Sequence, residues 1–268
     1  MNPFTYLGRV MDASHAAFDT NRVATISAYD ADGTLLARSE TFFLPDSRRN
    51  YRLRVPLADA ATKGYSQSGA VLSIAVEDDE GKTWTGVVVD AGGTNGLSTV
   101  GEPGGVFEVD IVLGEDEDGD GVDDALRLRL EQEWEDSDCW TNGVPFDPSA
   151  DHDGDGVSTI DEALAGTDPF SSEDTLRITA FEPGAIRSRG AETEALVLRF
   201  PANSGRAYVV QTANAPTGTW SDVAFFLAPE DGSPVNVFAR PSTPGAAPVT
   251  VYLLPSTNSA AFFRVKLD

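Results

Sequence analysis

Asp151-His152-Asp153-Gly154-Asp155-Gly156-Val157 is the stretch from which the rest of the chain is read, and it repeats an earlier phrase, Asp116-Glu117-Asp118-Gly119-Asp120-Gly121-Val122. Aspartates at positions 1, 3 and 5 of a short loop turn alternate carboxylates to one centre. A glycine at position 6 permits the sharp turn that keeps the backbone wrapped around it. Position 7, Val122 or Val157, adds a carbonyl oxygen, and in the second copy Glu162 falls at position 12, where a bidentate carboxylate closes such a loop. An all-oxygen donor set suits a hard cation, and the expected cofactor is calcium, two or more ions for the pair. Magnesium keeps its waters and rarely accepts an all-protein cage. Zinc lacks its usual ligands, since His15 and His152 are the only histidines and Cys139 the only thiol. His152, at position 2, is expected to face solvent.

The charge of the chain is concentrated around these loops. Of 268 residues with a net charge of −24, residues 114 to 174 hold 21 of the 43 acidic side chains and two of the 19 basic ones, Arg127 and Arg129. That stretch alone carries −19 and leaves −5 for everything else. So dense an acidic tract repels itself unless cations neutralise it. The same balance argues against nucleic acid, because no basic stripe is present to displace counterions from phosphate. It argues equally against an anionic membrane surface, and no apolar run reaches the length of a spanning helix.

Each loop leads into a helix. Leu126, Leu130 and Trp134 recur at a spacing of four and share one helical face. After the second loop, Ile160, Ala163 and Leu164 form a shorter stripe that stops at Gly166, with Pro169 beyond. On either side the chain reads as β. Tyr51, Leu53, Val55 and Leu57 alternate with arginines, and Phe107, Val109, Ile111 and Leu113 alternate with acidic residues. Further strands are expected over 23–29, 34–39, 71–76 and 84–89, with Asp30-Ala31-Asp32-Gly33 and Asp78-Asp79-Glu80-Gly81 as hairpin turns. Toward the end, Leu196, Leu198 and Phe200, then Tyr208 and Val210, then Phe263, Val265 and Leu267 repeat the period of two. The expected fold is mainly β: an antiparallel sandwich over 1–113, an acidic double loop-helix segment over 114–171 acting as a hinge, and a second antiparallel sandwich over 172–268.

The run Asp151 to Pro169, with its Asp-x-Asp-Gly-Asp-Gly core, Glu162 and the Ala165-Gly166-Thr167-Asp168-Pro169 end, resembles the thrombospondin type 3-like calcium repeat of secreted bacterial proteins. The resemblance implies calcium on Asp151, Asp153, Asp155, the Val157 carbonyl and Glu162, with Thr159 at the often water-mediated position 9. In the first copy it implies Asp116, Asp118, Asp120 and the Val122 carbonyl, with Asp124 at position 9. Arg127 stands at position 12 there and cannot coordinate. Asp123 or a carboxylate from elsewhere, Asp147 or Asp168, then completes the first loop, or that loop binds more weakly. Dockerins are also paired calcium loop-helix units, but they usually carry aspartate at position 12 and a longer helix. Gly8-Arg9-Val10, the Asp-Gly hairpin and Tyr51-Arg52-Leu53-Arg54-Val55-Pro56 loosely resemble the transthyretin-like, carboxypeptidase-regulatory sandwich.

No phosphate loop, dinucleotide fingerprint or nucleophile elbow occurs, and the abundant carboxylates belong to the cation loops, so no enzyme is expected. Residues 1–6 lack the basic and apolar regions of a signal peptide. The chain is either cytosolic or a mature form without its signal peptide. Millimolar calcium, an extracellular condition, favours a secreted or cell-surface protein. Two function classes follow. One is a calcium-stabilised structural or adhesive part, a spacer or a surface-layer or filament subunit that pairs with itself. The other is a module that binds a cell-surface glycan or protein, for which Tyr51, Trp84, Trp140, Tyr208 and Trp220 are the available aromatics.

Overall fold

The computed structural model describes residues 2–59, 62–84, 88–89, 97–115, 122–141, 143–188, 191–230, 232–243, 245–254 and 262–268. It is mainly β, with several small sheets packed in sandwich-like fashion and two helices among the described residues. No described helix is long and apolar enough to cross a membrane. Contacts divide the chain into two compact units, Met1–Leu44 with Arg49–Phe146, and Pro45–Arg48 with Asp147–Asp268. The helix after the first acidic loop falls in the first unit, and the second loop with its helix in the second.

The first unit contains β1 (Phe4–Gly8), β2 (Val10–Met11), β3 (Thr25–Tyr29), β4 (Leu35–Glu40), β5 (Tyr51–Val55), β6 (Val71–Glu77), β7 (Thr83–Trp84), β8 (Val88–Val89), β9 (Leu97–Thr99), β10 (Val106–Glu108), β11 (Ile111–Val112) and helix α1 (Asp124–Asp136). The ladders run β10-β1-β5, β2-β11-β8 and β4-β3-β6-β7, with β9 also on β6. Tyr51, Leu53 and Val55 point into the core and the arginines between them point out, as the alternation requires. Both Asp-x-x-Gly turns form. Asp30 Oδ1 accepts the N–H groups of Asp32 (3.0 Å) and Thr34 (2.8 Å), while Asp78 Oδ1 accepts those of Glu80 (3.0 Å) and Lys82 (2.8 Å). Of the strand expected over 84–89, residues 85–87 lie outside the described ones.

Two features depart from the sequence reading. The ladders β1·β10 and β2·β11 are parallel, within a unit whose other ladders are antiparallel. The continuous strand expected from Phe107 to Leu113 is broken, because Asp110 turns back onto Arg9. Its Oδ1 accepts the Arg9 N–H (2.7 Å) and its Oδ2 the guanidinium (2.7 and 2.9 Å). β1 and β2 are broken at the same level by Gly8, where a Cβ would lie 2.0 Å from the Val109 carbonyl oxygen. Val109, Ile111 and Leu113 remain buried, whereas Phe107 is exposed against the edge of Tyr6.

Helix α1 buries Leu126, Leu130 and Trp134, the predicted face, and Trp134 packs on Phe146 with ring centroids 5.7 Å apart. In the second unit, helix α2 (Thr159–Ala165) precedes β12 (Ala180–Ser188), β13 (Ala191–Ala202), β14 (Ala207–Ala213), β15 (Ser221–Asp222), β16 (Phe238–Ala239), β17 (Ala247–Leu253) and β18 (Phe262–Leu267). These strands form two antiparallel sheets, β12-β13-β17 and β15-β14-β16 with β18 on β14. Leu198, Phe200, Tyr208, Val210, Phe225, Val251 and Leu253 fill the core. β12, which contains Pro183 and Gly184, is not among the expected strands. As an edge strand it tolerates a residue without an N–H, and Gly184 leaves room for Val197, whose Cγ2 would otherwise lie 2.4 Å from a Cβ.

Candidate metal centre

The second loop is clamped at its base before any ion is considered. The Thr159 N–H donates to the Ala150 carbonyl and the Ile160 N–H to that of Pro148, each at 2.9 Å. Between these clamps, Asp151 accepts N–H groups from Gly154 (2.7 Å) and Gly156 (2.8 Å), one on each carboxylate oxygen. Asp153 Oδ1 accepts from the Asp155 N–H (3.1 Å), and Asp155 Oδ1 from the Val157 N–H (2.8 Å). Gly156 at position 6 has φ +98°, a conformation that side chains rarely adopt, so the loop needs glycine there. These bonds gather carboxylate oxygens of Asp151, Asp153 and Asp155 within 4.8 Å of one another, a group able to hold a metal ion.

Glu162 lies behind this group, on α2. Ser158 caps this helix, its Oγ accepting the Asp161 N–H (3.2 Å) and donating to Asp161 Oδ2 (2.7 Å), and Gly166 ends it with φ +75°. The buried residues of α2 are Thr159, Glu162, Ala163 and Ala165, whereas Ile160 and Leu164 are half-buried. The inward face is thus turned from the expected apolar stripe so that it carries Glu162 toward the loop. Glu162 is 1% exposed, and its Oε1 accepts the Thr167 hydroxyl at 3.2 Å.

Three buried carboxylate oxygens in this cluster, Asp153 Oδ2, Asp155 Oδ2 and Glu162 Oε2, have no hydrogen-bond partner. A buried, unpaired acceptor is costly, and a buried anionic one more so. The titration behaviour reflects that cost. Burial, and then the charges of Asp155 and Asp153, push the Glu162 carboxyl up to about 8. Burial raises Asp153 as well, with Asp155 and Asp151 adding to it against the Asp155 N–H. Asp151 is held below the usual carboxylate range by the Gly156 N–H, with that of Gly154 assisting. A divalent cation held by the Asp151, Asp153 and Asp155 group would offset the negative charge that these oxygens bring together. The donors are all oxygen, which fits calcium or magnesium rather than a soft metal.

The remaining candidates fall as follows. Thr159 is fully buried, and its hydroxyl lies 2.7 Å from His152 Nδ1. His152 therefore does not face solvent as expected: it is half-buried, bonded to Thr159 and edge-on to Phe170 at 6.2 Å. Val157 is half-buried at the end of the loop. Asp168 lies in the turn after α2, where its Oδ1 accepts the Phe170 N–H (3.1 Å) and its own N–H donates to Asp174 Oδ2 (3.1 Å).

Asp116, Asp118 and Asp120 lie outside the described residues. The flanks of the first loop nonetheless match those of the second. The Asp124 N–H donates to the Glu115 carbonyl at 2.8 Å, the counterpart of the Thr159–Ala150 clamp, and each helix is capped from position 8. The cap of α1 is Asp123, whose Oδ1 accepts the Leu126 N–H and Oδ2 the Glu115 N–H, both at 2.9 Å. Asp123 thus ties the start of the loop to the start of the helix. Val122 and Asp124 are half-buried beside it, and Arg127 occupies on α1 the place that Glu162 has on α2.

Sequence reasoning missed Thr167, whose hydroxyl and N–H both reach Glu162. Its position one residue after a helix-ending glycine was the available signal. It also missed Asn203 and Arg206, which donate to carbonyls of α2 from a turn about 40 residues away, and no local pattern could have pointed to them. Comparison with protein-family models, with curated proteins and with solved structures returned no match.

Proposed function

We propose that this chain is a calcium-stabilised, non-catalytic structural or adhesive protein of the cell exterior, a spacer or a surface-layer or filament subunit. The second loop holds calcium through Asp151, Asp153, Asp155, the Val157 carbonyl and Glu162, and the first loop adds a weaker site. The observation that carries this reading is the set of three unpartnered, buried carboxylate oxygens on Asp153, Asp155 and Glu162. A cation bound in the loop would offset the cost of burying them. By mass action, calcium at 100 times its dissociation constant stabilises the folded protein by about 2.7 kcal/mol. Small sheets with edge strands such as β12 suit pairing between copies.

The glycan-binding alternative has less to stand on. Of its five aromatics, Tyr51 and Tyr208 are core residues, Trp84 lies under Lys82, and Trp220 lies under Arg264. Trp140 is exposed. Light scattering on the purified chain, titrated with calcium and then with chelator, separates the readings. Large assemblies that form with calcium and dissolve on chelation are expected. A chain that stays monomeric at every concentration in calcium would reject the structural reading.

A further inference from the structure

We propose that Asn203 and Arg206 are positioning residues for the calcium loop: through α2 they set the place of Glu162, so that the loop and the second β unit load and unfold as one. The proposal rests on the calcium reading of that loop.

Helix α2 has seven residues, too few to hold a helical geometry unaided. Its place is set by what it docks on. The turn from β13 to β14 supplies that dock. The Asn203 side-chain amide donates to the Ala165 carbonyl at 3.0 Å, and the Arg206 guanidinium to the Ala163 carbonyl at 3.3 Å. Both side chains are buried, at 8% and 6% exposure. The fit is close, since a Cβ on Gly166 would lie 3.2 Å from that of Asn203. α2 has no basic residue in its own last turn, so Arg206 supplies the cation that its C-terminal carbonyls favour. The dock itself is fixed to the sheet, as the Asn203 N–H donates to the Tyr208 hydroxyl (2.6 Å) and the Arg240 N–H to the Arg206 carbonyl (2.8 Å).

Glu162 directly precedes Ala163 in this helix. A bidentate closing ligand demands accurate placement, and groups that orient ligands from outside the coordination sphere are typically worth 10- to 100-fold in metal affinity. Two hydrogen bonds to the helix end, made from the β unit, provide that placement here.

The test is calorimetric titration of the full chain with calcium chloride, alongside thermal melts. Asn203→Ala and Arg206→Met are each expected to weaken calcium binding about 10-fold, and Arg206→Lys to retain most of the affinity. Val251→Ala, a core substitution in the same unit, is expected to lower the melting temperature with calcium affinity unchanged. Should Arg206→Met fail to fold, Asn203→Ala carries the test. Melting temperatures that fall for Asn203→Ala and Arg206→Met with affinities equal to the wild type would overturn the proposal and leave these residues as ordinary helix caps. A wild-type chain that binds no calcium would overturn the calcium reading, and the proposal with it.

Discussion

Replacing Glu162 by glutamine should move the stability of the protein in opposite directions with and without calcium. Glutamine keeps the size of the side chain and an oxygen that can accept the Thr167 hydroxyl at 3.2 Å, but it removes the charge. In chelator, the wild-type carboxyl sits buried beside Asp155 and Asp153 and is pushed from 4.5 up to about 8. A raised carboxyl confers full stability below its unfolded value and loses it as pH rises toward the folded one. By pH 7 the loss comes to about 3 kcal/mol, which glutamine avoids. The calcium-free variant should therefore melt several degrees higher than the wild type at pH 7. In calcium the order reverses, because the closing ligand is gone. Removing one partner of a buried charge pair costs 2–5 kcal/mol, so affinity should fall by roughly 30-fold or more. Differential scanning calorimetry in chelator and in calcium, with a calcium titration at pH 7, reads both effects. A variant less stable than the wild type in chelator, with unchanged calcium affinity, would refute the reasoning and make Glu162 an ordinary buried hydrogen-bonding residue.

Further outcomes are expected elsewhere in the chain. Gly8→Ala should destabilise the first unit by about 3 kcal/mol or more, since its Cβ would meet the Val109 carbonyl oxygen at 2.0 Å; a denaturant melt indistinguishable from the wild type would contradict the fold there. Gly156→Ala should cost about 1–2 kcal/mol from its φ of +98° and weaken calcium binding with it, as a titration would show. Burial raises the phenols of Tyr6, Tyr51 and Tyr208 above 10. Stability tied to them is complete below pH ~10 and lost above it, so three of the six tyrosines should ionise only together with alkaline unfolding and not before it, as the amplitude of the tyrosinate absorbance would show.

Much of the fold could be read from residues whose environment is one-sided. Tyr51 to Val55 alternates because one face of β5 meets the core, and α1 buries the three residues its spacing names. The Asp-x-x-Gly turns are local chemistry and form as local chemistry predicts. The features that escaped depend on partners distant in sequence. Asp110 breaks its strand to reach Arg9, 101 residues away, and the parallel ladders of β10 and β11 are made with strands equally distant in sequence. At the site, the loop spacing brought Asp151, Asp153 and Asp155 together and placed Glu162 behind them. It could not foresee that His152 would turn inward onto Thr159, or that Asp123 would serve as a cap. In both cases a side chain met a nearby backbone or hydroxyl group that the loop pattern does not encode.

Crystals of the full chain grown with millimolar calcium give the most direct measurement. The account predicts a strong peak inside the second loop, with oxygens of Asp151, Asp153, Asp155 and Glu162 at about 2.3–2.6 Å from it. A well-ordered loop without that peak, its buried carboxylates bridged by water or protonated and bonded to one another, would contradict it.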